Sequence, residues 1–573
     1  MTDYRSFVTV SRHWPRLLRE GRAELTVIDL TGRALECLLD WVHAARATLD
    51  PATGLHLYWF CQQGQLPAAP AMFGGDWIED LPGVHRVQSR ADQLTLTVVI
   101  GRPSESSHDV DPERLAADLV VKADLVLVRD LARCVDAYVR PGALVIEPEQ
   151  MQLRVVSQVA SDAQMSPEAW LRAGLLPKSL SGDADRVLVV GAGIAGMTLA
   201  AVLSHQGFDV TVLDERDPLS SEGVHHGHLA AALTPVVSSD DNVRSRLSRT
   251  GALLADRLWR HLPEFVGWRC GALQLQRPAS AKRQVDLESV AAGLGMPEWA
   301  QWVDSHQASA LAGHRLDRGG LWLPGGWVVR VPSLLQALGY RSGVTVLKAH
   351  AHQLVHQAGQ WCVRDQNGDV VVRAPVAVLA NAGDALDLLL RSGFSKTEFE
   401  ENASLKRLQS MHRLAGEITL IPATELEQGP RCIVGGDGYV LPAIDGWCVS
   451  GGTYVRGQAS AGEFAQLSAR TSEQGRVQNV ERAASLLNSP DLKGRIKGLE
   501  QLPGWAGWRA VVSGRLPVVG LVPTQANLYL CTAGASRGLT WSVLQAHLIA
   551  DHLLGRGPAL ERSLLSNITS QKL

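Results

Sequence analysis

The sequence predicts an α/β protein with two domains built on parallel sheets, the second of which contains an inserted α+β region. Three observations indicate this class. Apolar strands alternate with helical stretches over residues 25–147, a polar segment rich in Ser, Gly and Asp follows at 177–186, and a second strand-turn-helix pattern begins at Val187. At 573 residues the chain is also too long for a single hydrophobic core. We therefore predict a first domain over 1–176, a linker at 177–185 and a second domain over 186–573.

The first domain is predicted to be a mostly parallel, doubly wound sheet. Its strands are aliphatic and β-branched, and a helix-period pattern lies between the first two. The predicted strands are Leu25–Leu30, Leu55–Phe60, Leu94–Gly101, Ala123–Asp130 and Gly142–Glu147, and the predicted helix is Ala34–Leu49. Strands that are separated by helical stretches in this way pair in parallel.

Charge and composition exclude several classes of protein. A hydrophobic fraction of 46% with 20% charged residues is typical of a globular chain, not of a disordered or fibrous one. The formal net charge of −3 gives no overall attraction to nucleic acid, and we expect no DNA partner. Four arginines between Arg12 and Arg22 are a candidate phosphate contact, but a solvated helix face is the simpler interpretation.

The eight cysteines are scattered, with no CxxC pair and no histidine cluster at metal-ligand spacing. We interpret them as reduced thiols and predict no metal site. Residues 1–14 lack the apolar core of a signal peptide, and the most apolar run, about Val187–Leu203, is too short and too interrupted by glycine to span a bilayer. We therefore expect a cytoplasmic protein that has no membrane segment, and the sequence does not indicate its oligomeric state.

A dinucleotide-binding fingerprint opens the second domain. Gly191, Gly193 and Gly196 form a GxGxxG turn between the strand Val187–Val190 and a helix of small and aliphatic residues. The first glycine permits the tight turn, the second lets the backbone approach a pyrophosphate, and the third lets the helix pack on the strand. The helix N-terminus, which includes Ile194 and Ala195, supplies N–H donors to phosphate.

An acidic residue follows the next strand at the expected distance. Asp214, directly after the strand Val210–Leu213, is the predicted partner of the ribose hydroxyls, and Glu215 is the alternative. An acid at this position favours FAD or NAD over NADP.

Two later elements favour FAD over NAD. A strand near the C-terminus, Leu528–Cys531, runs into a glycine-rich turn and then a helix, whose N–H groups can face the flavin edge that becomes negative on reduction. A second strand, Val376–Leu379, runs into Asn381, Ala382 and Gly383. The predicted cofactor-binding residues of the C-terminal turn are Gly534, Ser536, Arg537, Gly538 and Leu539.

These three pieces resemble the FAD-dependent amine oxidase superfamily that includes D-amino-acid oxidase and glycine oxidase. The order of further segments resembles one branch of it, the MnmC-type bifunctional tRNA 5-methylaminomethyl-2-thiouridine biosynthesis proteins. These segments are His225–Asn242, Trp322–Leu338, Trp508–Gly520 and Gly534–Ala550. The resemblance implies an FAD-binding Rossmann domain of the D-amino-acid oxidase type, with cofactor-binding parts at about 186–260 and 500–573 and a substrate region between them.

The resemblance also implies an activity. In that family this domain uses FAD to oxidise the 5-carboxymethylaminomethyl group of the tRNA wobble uridine to 5-aminomethyl, releasing the carboxymethyl group as glyoxylate. Arg509 lies where related amine oxidases place the arginine that binds the substrate carboxylate, and Arg537 and Arg515 are competing candidates. We predict catalytic roles for Arg509 and Arg537.

The N-terminal domain resembles the family's S-adenosylmethionine-dependent methyltransferase domain in outline. Its cofactor loop is here IDLTGRALE, in which Gly32 is the one glycine, and the Asp-Gly-Phe catalytic motif is replaced by RDLARC, which keeps only Asp130. Bulky side chains in the loop block close approach of the backbone to a cofactor. We therefore expect no S-adenosylmethionine binding, and a role as a scaffold or RNA-docking module.

Two other functions stay open at this point. One is oxidation of a free amine or amino acid, as in glycine oxidase, although such enzymes have no need of the attached α/β domain. The other is a non-catalytic flavin-binding or RNA-interaction protein, against which the intact FAD motifs argue.

Overall fold

The computed structural model describes most of the chain in two compact units. The first unit comprises residues 1–181 and 547–566, and the second comprises 182–546 and 567–572. The residues described are 24–47, 49, 53–89, 93–102, 111–119, 121, 123–128, 139–147, 152–155, 185–221, 223–277, 285–401, 403–456, 470–522 and 525–569. Asp130, Arg12–Arg22 and all of the predicted linker except Asp185 lie outside these ranges.

The first unit contains a seven-stranded sheet in the order β3-β4-β2-β1-β5-β6-β7. The five central strands run parallel, and β3 and β7 are antiparallel at the two edges. Its elements are β1 Glu24–Asp29, α1 Leu35–Arg46, β2 Gly54–Gln62, β3 Gly83–Ser89, β4 Leu94–Gly101, α2 Pro112–Ala116, β5 Ala123–Leu127, β6 Val139–Glu147 and β7 Gln152–Val155. Every residue of β1, β4 and β5 is buried, as expected for strands covered on both faces.

Buried ion pairs join the C-terminal segment 547–566 to this sheet. Glu24 at the start of β1 accepts a hydrogen bond from Arg556 Nη2 at 2.8 Å, and Arg86 on β3 pairs with Asp551. Burial alone would raise the pKa of Glu24, but the charge of Arg556 and a hydrogen bond from His56 hold it well below its ordinary value. The sequence carries no pattern that assigns residues 547–566 to this unit.

The second unit is centred on a six-stranded sheet and a larger mixed sheet. Its strands are β8 Arg186–Val190, β9 Asp209–Asp214, β10 Ala231–Leu233, β11 Gly267–Arg269, β12 Ala272–Leu275, β13 Gln301–Val303, β14 Gly320–Leu323, β15 Trp327–Val329, β16 Val344–Lys348, β17 Gln353–Gln357, β18 Gln360–Arg364, β19 Val370–Ala374, β20 Val376–Leu379, β21 His412–Pro422, β22 Ile433–Gly436, β23 Gly438–Val440, β24 Trp447–Gly451, β25 Val455–Arg456, β26 Gly504–Val511, β27 Val518–Leu521 and β28 Leu528–Thr532.

The remaining helices lie in the second unit, except for the helical residues within 547–566, which belong to the first unit. They are α3 Ile194–His205, α4 Val243–Trp259, α5 Leu287–Leu294, α6 Ser305–Ala312, α7 Val331–Gly339, α8 Ala385–Arg391, α9 Lys396–Glu401, α10 Ala403–Gln409, α11 Glu473–Leu486, α12 Leu492–Arg495, α13 Gly538–Leu553 and α14 Arg562–Leu565. In the described part of the chain, no helix has the length and apolar character needed to cross a bilayer.

The six-stranded sheet has the order β16-β9-β8-β20-β28-β27, and only β27 runs antiparallel to its neighbour. The mixed sheet has the order β13-β14-β12-β22-β23-β24-β21-β25, with β26 also paired to β21. The chain leaves the six-stranded sheet after β9, returns to it at β16 and at β20, and returns again at β27 after β26 of the mixed sheet. The predicted fold class, a Rossmann-like first part and a Rossmann-type second part with an α+β insertion, is confirmed.

Candidate cofactor and substrate site

Three chain segments singled out from the sequence meet at one edge of the six-stranded sheet. Strand β20 lies between β8 and β28, and all three run parallel, with Val190 opposite Leu379 and Leu379 opposite Leu530. The segments that follow them, 191–196, 381–384 and 533–538, therefore leave the sheet at the same edge. In parallel sheets this edge is where ligands bind.

The three fingerprint glycines have different surroundings. Gly191 has φ 107°, and a Cβ there would stand 2.7 Å from the Cα of Asn381, so the turn accepts no side chain. A Cβ on Gly196 would lie 1.8 Å from the carbonyl oxygen of Gly191. A Cβ on Gly193 would meet no protein atom within 4 Å. Gly193 therefore borders open space, while the other two glycines are required by packing.

The N-terminus of α3 is free to bind an anion. Gly193 is its N-cap, and no side chain caps it. Ile194 and Ala195 form the first turn and are half-buried. Exposed N–H groups and the positive end of the helix dipole suit a phosphate at this position.

The two candidate acids differ in what they contact. Both carboxylate oxygens of Asp214 accept backbone hydrogen bonds, Oδ2 from Ala192 N at 2.7 Å and Oδ1 from Arg216 N at 3.0 Å. Burial raises the pKa of Asp214. Glu215 is exposed and pairs with His350 at 3.3 Å. Asp214 therefore holds the glycine turn in place and keeps lone pairs for a ribose hydroxyl, whereas Glu215 is engaged at the surface.

The two other turns adopt backbone conformations that are rare for alanine. Ala382 has φ 51°, and Ala533 and Ala535 have φ 62° and 48°. Each costs conformational energy, and such strain concentrates at ligand sites. Thr532 Oγ1 donates to the Ala382 carbonyl oxygen at 2.8 Å and ties one turn to the other.

Other features of these turns fit a bound dinucleotide. The buried Oδ1 of Asn381 has no hydrogen-bond partner among the described residues, and a Cβ on Gly538 would meet nothing within 4 Å. Gly383 has no such room, because a Cβ there would stand 2.7 Å from Arg413 Nε. Of the remaining predicted residues, Gly534 is half-buried, Ser536 is exposed and Leu539 is buried. An orphaned acceptor and two open glycines match FAD, which offers donors and a long contact surface.

Arg509 lies across the mixed sheet. It stands on β26 opposite Leu414, and its guanidinium reaches over Gly416 of β21, so that a Cβ at 416 would stand 1.8 Å from Nη1. Nη1 donates to the Thr453 carbonyl oxygen at 3.2 Å, and the guanidinium stands 4.7 Å from the centre of the exposed Tyr454 ring. The arginine is therefore held by one hydrogen bond and one cation–π contact, with donors left over.

A second glycine makes room for a tryptophan beside Arg509. Gly507 is opposite Gly416, and a Cβ at 507 would stand 2.2 Å from the indole of Trp505. His228 stacks on that indole with the ring centres 3.9 Å apart and the planes 7° from parallel. Gly416 and Gly507 thus form a floor that is free of side chains, on which the arginine and the tryptophan lie.

The histidines of this stack are uncharged at neutral pH. Burial lowers the pKa of His225 to about 4. Burial first, and then the charges of His225 and Arg509, lower the pKa of His228 well below its ordinary value. The Nδ1 atoms of the two rings are 3.2 Å apart, within hydrogen-bond distance.

The other two candidate arginines belong to a cationic group. Arg537 donates to the Thr234 carbonyl oxygen, and burial, with a contribution from Arg244, lowers the pKa of Arg537 to about 10. Burial and the charge of Arg515 lower the pKa of Arg244 in turn. Within the described ranges, none of these three guanidinium groups has a carboxylate partner. A positive group without internal neutralisation suits an anionic ligand.

The structure thus places the predicted residues in two regions of the second unit. One is the sheet edge, and the other contains Arg509 and the cationic group of Arg244, Arg515 and Arg537. Sequence reasoning missed Gly416, Tyr454, Trp505 and the pair His225–His228. The run His225-His226-Gly227-His228 was visible in the sequence, but its contact with Trp505 depends on a fold that joins positions about 280 residues apart. No sequence signal identifies Gly416, because its role follows from its register with Gly507. In the part of the chain that the structure describes, no disulfide and no metal-binding cluster is found.

Known proteins resemble this chain in sequence and in fold. A model of the FAD dependent oxidoreductase family (DAO) matches residues 186–552. The tRNA 5-methylaminomethyl-2-thiouridine biosynthesis bifunctional protein MnmC of Thiobacillus denitrificans is 30% identical and covers 86% of this chain and 79% of its own. The protein of that name from Ralstonia nicotianae is 29% identical, covering 92% and 84%.

Two solved structures share the fold of the second unit. Glycine oxidase from Geobacillus kaustophilus has a TM-score of 0.51 and 19% identity, covering 68% of this chain and 99% of its own. Fructosamine oxidase (Amadoriase II) from Aspergillus fumigatus has a TM-score of 0.52 and 15% identity, covering 68% and 91%. At these identities the likeness concerns the fold alone.

Proposed function

The chain belongs to the MnmC family of tRNA 5-methylaminomethyl-2-thiouridine biosynthesis bifunctional proteins and, over residues 186–552, to the FAD dependent oxidoreductases, and from this premise we propose that it oxidises the 5-carboxymethylaminomethyl group of a wobble uridine in tRNA to 5-aminomethyl. The observation that carries the proposal is the placement of Arg509 over Gly416, with guanidinium donors to spare. The family model supports an FAD-dependent oxidoreductase, and action at a CH–NH group is our proposal, which rests on the resemblance and on Arg509.

The substrate's carboxylate is the group that Arg509 binds. A planar guanidinium held on a flat glycine floor presents its edge to a carboxylate as a fork, and such charge-assisted pairs are stronger than neutral hydrogen bonds. Arg537 is the second cation of the site, and its low pKa reflects a buried charge without a carboxylate partner. We assign Arg509 as the carboxylate clamp and Arg537 to the cofactor-facing turn.

The cofactor is held by the residues at the sheet edge. The 191–196 turn and the N-terminus of α3 bind its pyrophosphate, Asp214 its ribose, and the 381–383 and 534–539 segments close around it. FAD, when bound, would supply the acceptor for the two electrons and the hydrogen that the substrate's CH–NH unit loses. The protein's own contribution is to fix the amine and carboxylate relative to that acceptor and to exclude water.

An RNA substrate fits the charge around the clamp. Arg244, Arg515 and Arg537 form a cationic group beside Tyr454, whose ring is 59% exposed. Guanidinium groups bind phosphate oxygens, and an exposed aromatic ring stacks on a base that is turned out of its helix. This positive charge is local, because the whole chain has a formal net charge of −3.

The first unit is proposed to have no methyltransferase activity. The turn after β1 is held by side chains of the turn and of β2, because Asp29 Oδ1 accepts from Thr31 N at 2.8 Å and Trp59 Nε1 on β2 donates to the Arg33 carbonyl oxygen at 2.9 Å. These contacts engage one backbone N–H and one backbone carbonyl of the loop, which supports the proposal. We propose the boundary between the two functions at 177–185.

The test is nucleoside analysis after incubation with tRNA that carries the 5-carboxymethylaminomethyl group. We expect its conversion to the 5-aminomethyl nucleoside with release of glyoxylate, in wild type and not in Arg509→Lys, which keeps the charge but loses the fork. Added S-adenosylmethionine is expected to leave the product unmethylated, and calorimetry to detect no binding. Oxidation of free glycine or sarcosine without conversion of the tRNA would contradict the proposal.

A further inference from the structure

A buried pair of histidines lies beside the proposed carboxylate clamp. His228 is 8% exposed, stacks on Trp505 and is close enough to Arg509 for that charge to lower its pKa. His225 is half-buried, with its ring centre 5.4 Å from that of His228 and 5.5 Å from that of Trp505. The two rings therefore lead from the interior of the site toward solvent.

The contact between the two rings defines a direction for a proton. Their Nδ1 atoms are 3.2 Å apart, so one ring must donate and the other accept. Beyond this bond, no described residue makes a hydrogen bond to either ring, and the Nε2 atom of His228 keeps its capacity to accept a proton. A neutral imidazole that accepts at one nitrogen and donates from the other can pass a proton along.

The groups around the two histidines keep His228 neutral, so that it does not retain a proton. Among the described residues, His225 and Arg509 on β26 are the groups whose charges lower the pKa of His228, and Tyr439 and Tyr454 face that arginine. Burial raises the pKa of Tyr439 to about 12, so it stays neutral. Among the described residues, no carboxylate contacts either imidazole. His228 is therefore a neutral ring whose Nε2 can accept a proton, and a proton taken up there is passed on because no counter-charge holds it.

The proposed reaction needs such a proton acceptor. A secondary amine in water at neutral pH is mostly an ammonium ion, whose nitrogen lone pair is engaged by a proton and cannot assist removal of hydride from the adjacent carbon. Its carboxylate, bound by Arg509, is one methylene group away from that nitrogen, so the nitrogen lies within a few ångströms of the clamp.

We propose that His228 is a catalytic base that removes the ammonium proton of the substrate, and that His225 relays that proton to solvent. This rests on the proposed function. The substrate N–H bond breaks and an N–H bond forms at His228 Nε2, while the Nδ1 proton of His228 passes to His225 Nδ1. His225 then releases a proton to water, and the pair returns to two neutral rings with no change in electron count.

The experiment is anaerobic rapid mixing of the flavin-loaded protein with 5-carboxymethylaminomethyl-tRNA, following flavin absorbance from about pH 6 to 11, which brackets the ordinary pKa values of histidine, about 6.5, and of an alkyl amine, about 10.4. In His228→Gln we expect the limiting rate at pH 7 to fall by about 10²–10⁴-fold, the usual contribution of a general base. The apparent affinity for tRNA should change little. The variant's rate should rise with pH as solvent deprotonates the amine, and the wild-type rate should vary less.

Several controls keep the outcome unambiguous. His225→Gln should slow the same step less and be rescued in part by added imidazole, and His306→Gln, an exposed histidine on α6, should be unchanged. If His228→Gln does not fold, His228→Asn, which is smaller and also cannot accept a proton, takes its place. The melting temperature and the flavin spectrum check that each variant is intact.

The outcomes separate this inference from the proposed function. Wild-type reduction by tRNA with a wild-type rate and pH profile in His228→Gln overturns the relay and leaves the function standing. No wild-type reduction by tRNA overturns the function, and the same comparison is then made with sarcosine, where an unchanged His228→Gln profile again overturns the relay.

Discussion

The guanidinium of Arg509 occupies the space that a side chain at Gly416 would fill, with Nη1 1.8 Å from the position of a Cβ there. Gly416 is opposite Gly507, and Leu414 is opposite Arg509, so the arginine crosses from β26 over the neighbouring strand. The position of the proposed clamp is therefore decided by a glycine on another strand. Changing that glycine tests the clamp without touching the arginine itself.

Gly416→Ala is expected to displace the Arg509 guanidinium and weaken substrate binding. Loss of a charge-assisted hydrogen bond costs about 1.5–3 kcal/mol, which corresponds to roughly 10–150-fold in KM for the carboxymethylaminomethyl substrate. Steady-state kinetics measures this. Gly494→Ala is the matched control, because a Cβ there would meet nothing within 4 Å. Equal KM values for both variants would show that the clamp lies elsewhere.

The fingerprint glycines are expected to separate folding from cofactor binding. Gly193→Ala should leave the melting temperature of the FAD-free protein unchanged and weaken FAD, because its Cβ points into space that the protein leaves open. Gly196→Ala should lower that melting temperature, because its Cβ would stand 1.8 Å from the Gly191 carbonyl oxygen. Scanning calorimetry and FAD titration of both variants check this, and an undiminished FAD affinity in Gly193→Ala would argue against a pyrophosphate at this turn.

Removing a positive charge from the cationic group of Arg244, Arg515 and Arg537 is expected to reduce the salt dependence of tRNA binding. Each phosphate contact contributes about one unit to the slope of log K against log salt, so Arg244→Gln and Arg515→Gln should each lower it by about one. Filter binding over a range of salt concentrations measures the slope. Lys493→Gln is the control, since Lys493 is exposed and already paired with Glu481 at 2.6 Å. A slope unchanged in the arginine variants would place the RNA on another surface.

The buried ion pair of the first unit is expected to be essential for its stability. Glu24→Gln removes the carboxylate that is hydrogen-bonded to the buried Arg556, and breaking such a pair costs about 3–5 kcal/mol of unfolding free energy. Glu481→Gln, which breaks the exposed pair with Lys493, should cost less than about 1 kcal/mol. Urea denaturation, followed for each variant in the unit that carries it, distinguishes the two, and an equal loss of unfolding free energy would contradict the role given to Glu24.

Mild acid is expected to destabilise the same unit. Burial, with the charge of Arg86, lowers the pKa of His56 to about 3, whereas the unfolded chain takes up a proton near pH 6.5. Between these values the unfolded state binds the extra proton, so stability is fully present above about pH 6.5 and falls with decreasing pH by up to about 1.4 kcal/mol per unit. Denaturation midpoints across this range measure it, and His56→Gln should flatten the dependence.

The sequence predicted the parts of the molecule in which local pattern determines structure. The strands Leu94–Gly101 and Val376–Leu379 have the predicted bounds, because continuous β-branched runs specify buried parallel strands. The antiparallel edge strand Gly83–Ser89, in which buried and half-buried residues mix, was not predicted. The GxGxxG turn was predictable because its pattern is local in sequence, although packing requires only Gly191 and Gly196, and Gly193 borders open space.

The substrate side of the site was less accessible to sequence reasoning. Arg509 was found through a family resemblance, but its path over Gly416 depends on strand register, and the stack of His228 on Trp505 depends on contacts distant in sequence. The segment 547–566 packs with the first unit through Arg556 and Asp551, and charged residues in a helical segment gave no sign of burial. Such placements follow from the tertiary fold, which no local pattern specifies.

The most direct test of the central claim is anaerobic flavin reduction by tRNA that carries the 5-carboxymethylaminomethyl group, with tRNA lacking the carboxymethyl group and free sarcosine measured in parallel. We predict loss of the oxidised flavin absorbance with the tRNA that carries the 5-carboxymethylaminomethyl group and with neither of the other two substrates. Arg509→Lys should abolish that response. Reduction by sarcosine, with no reduction by the modified tRNA, would contradict the central claim.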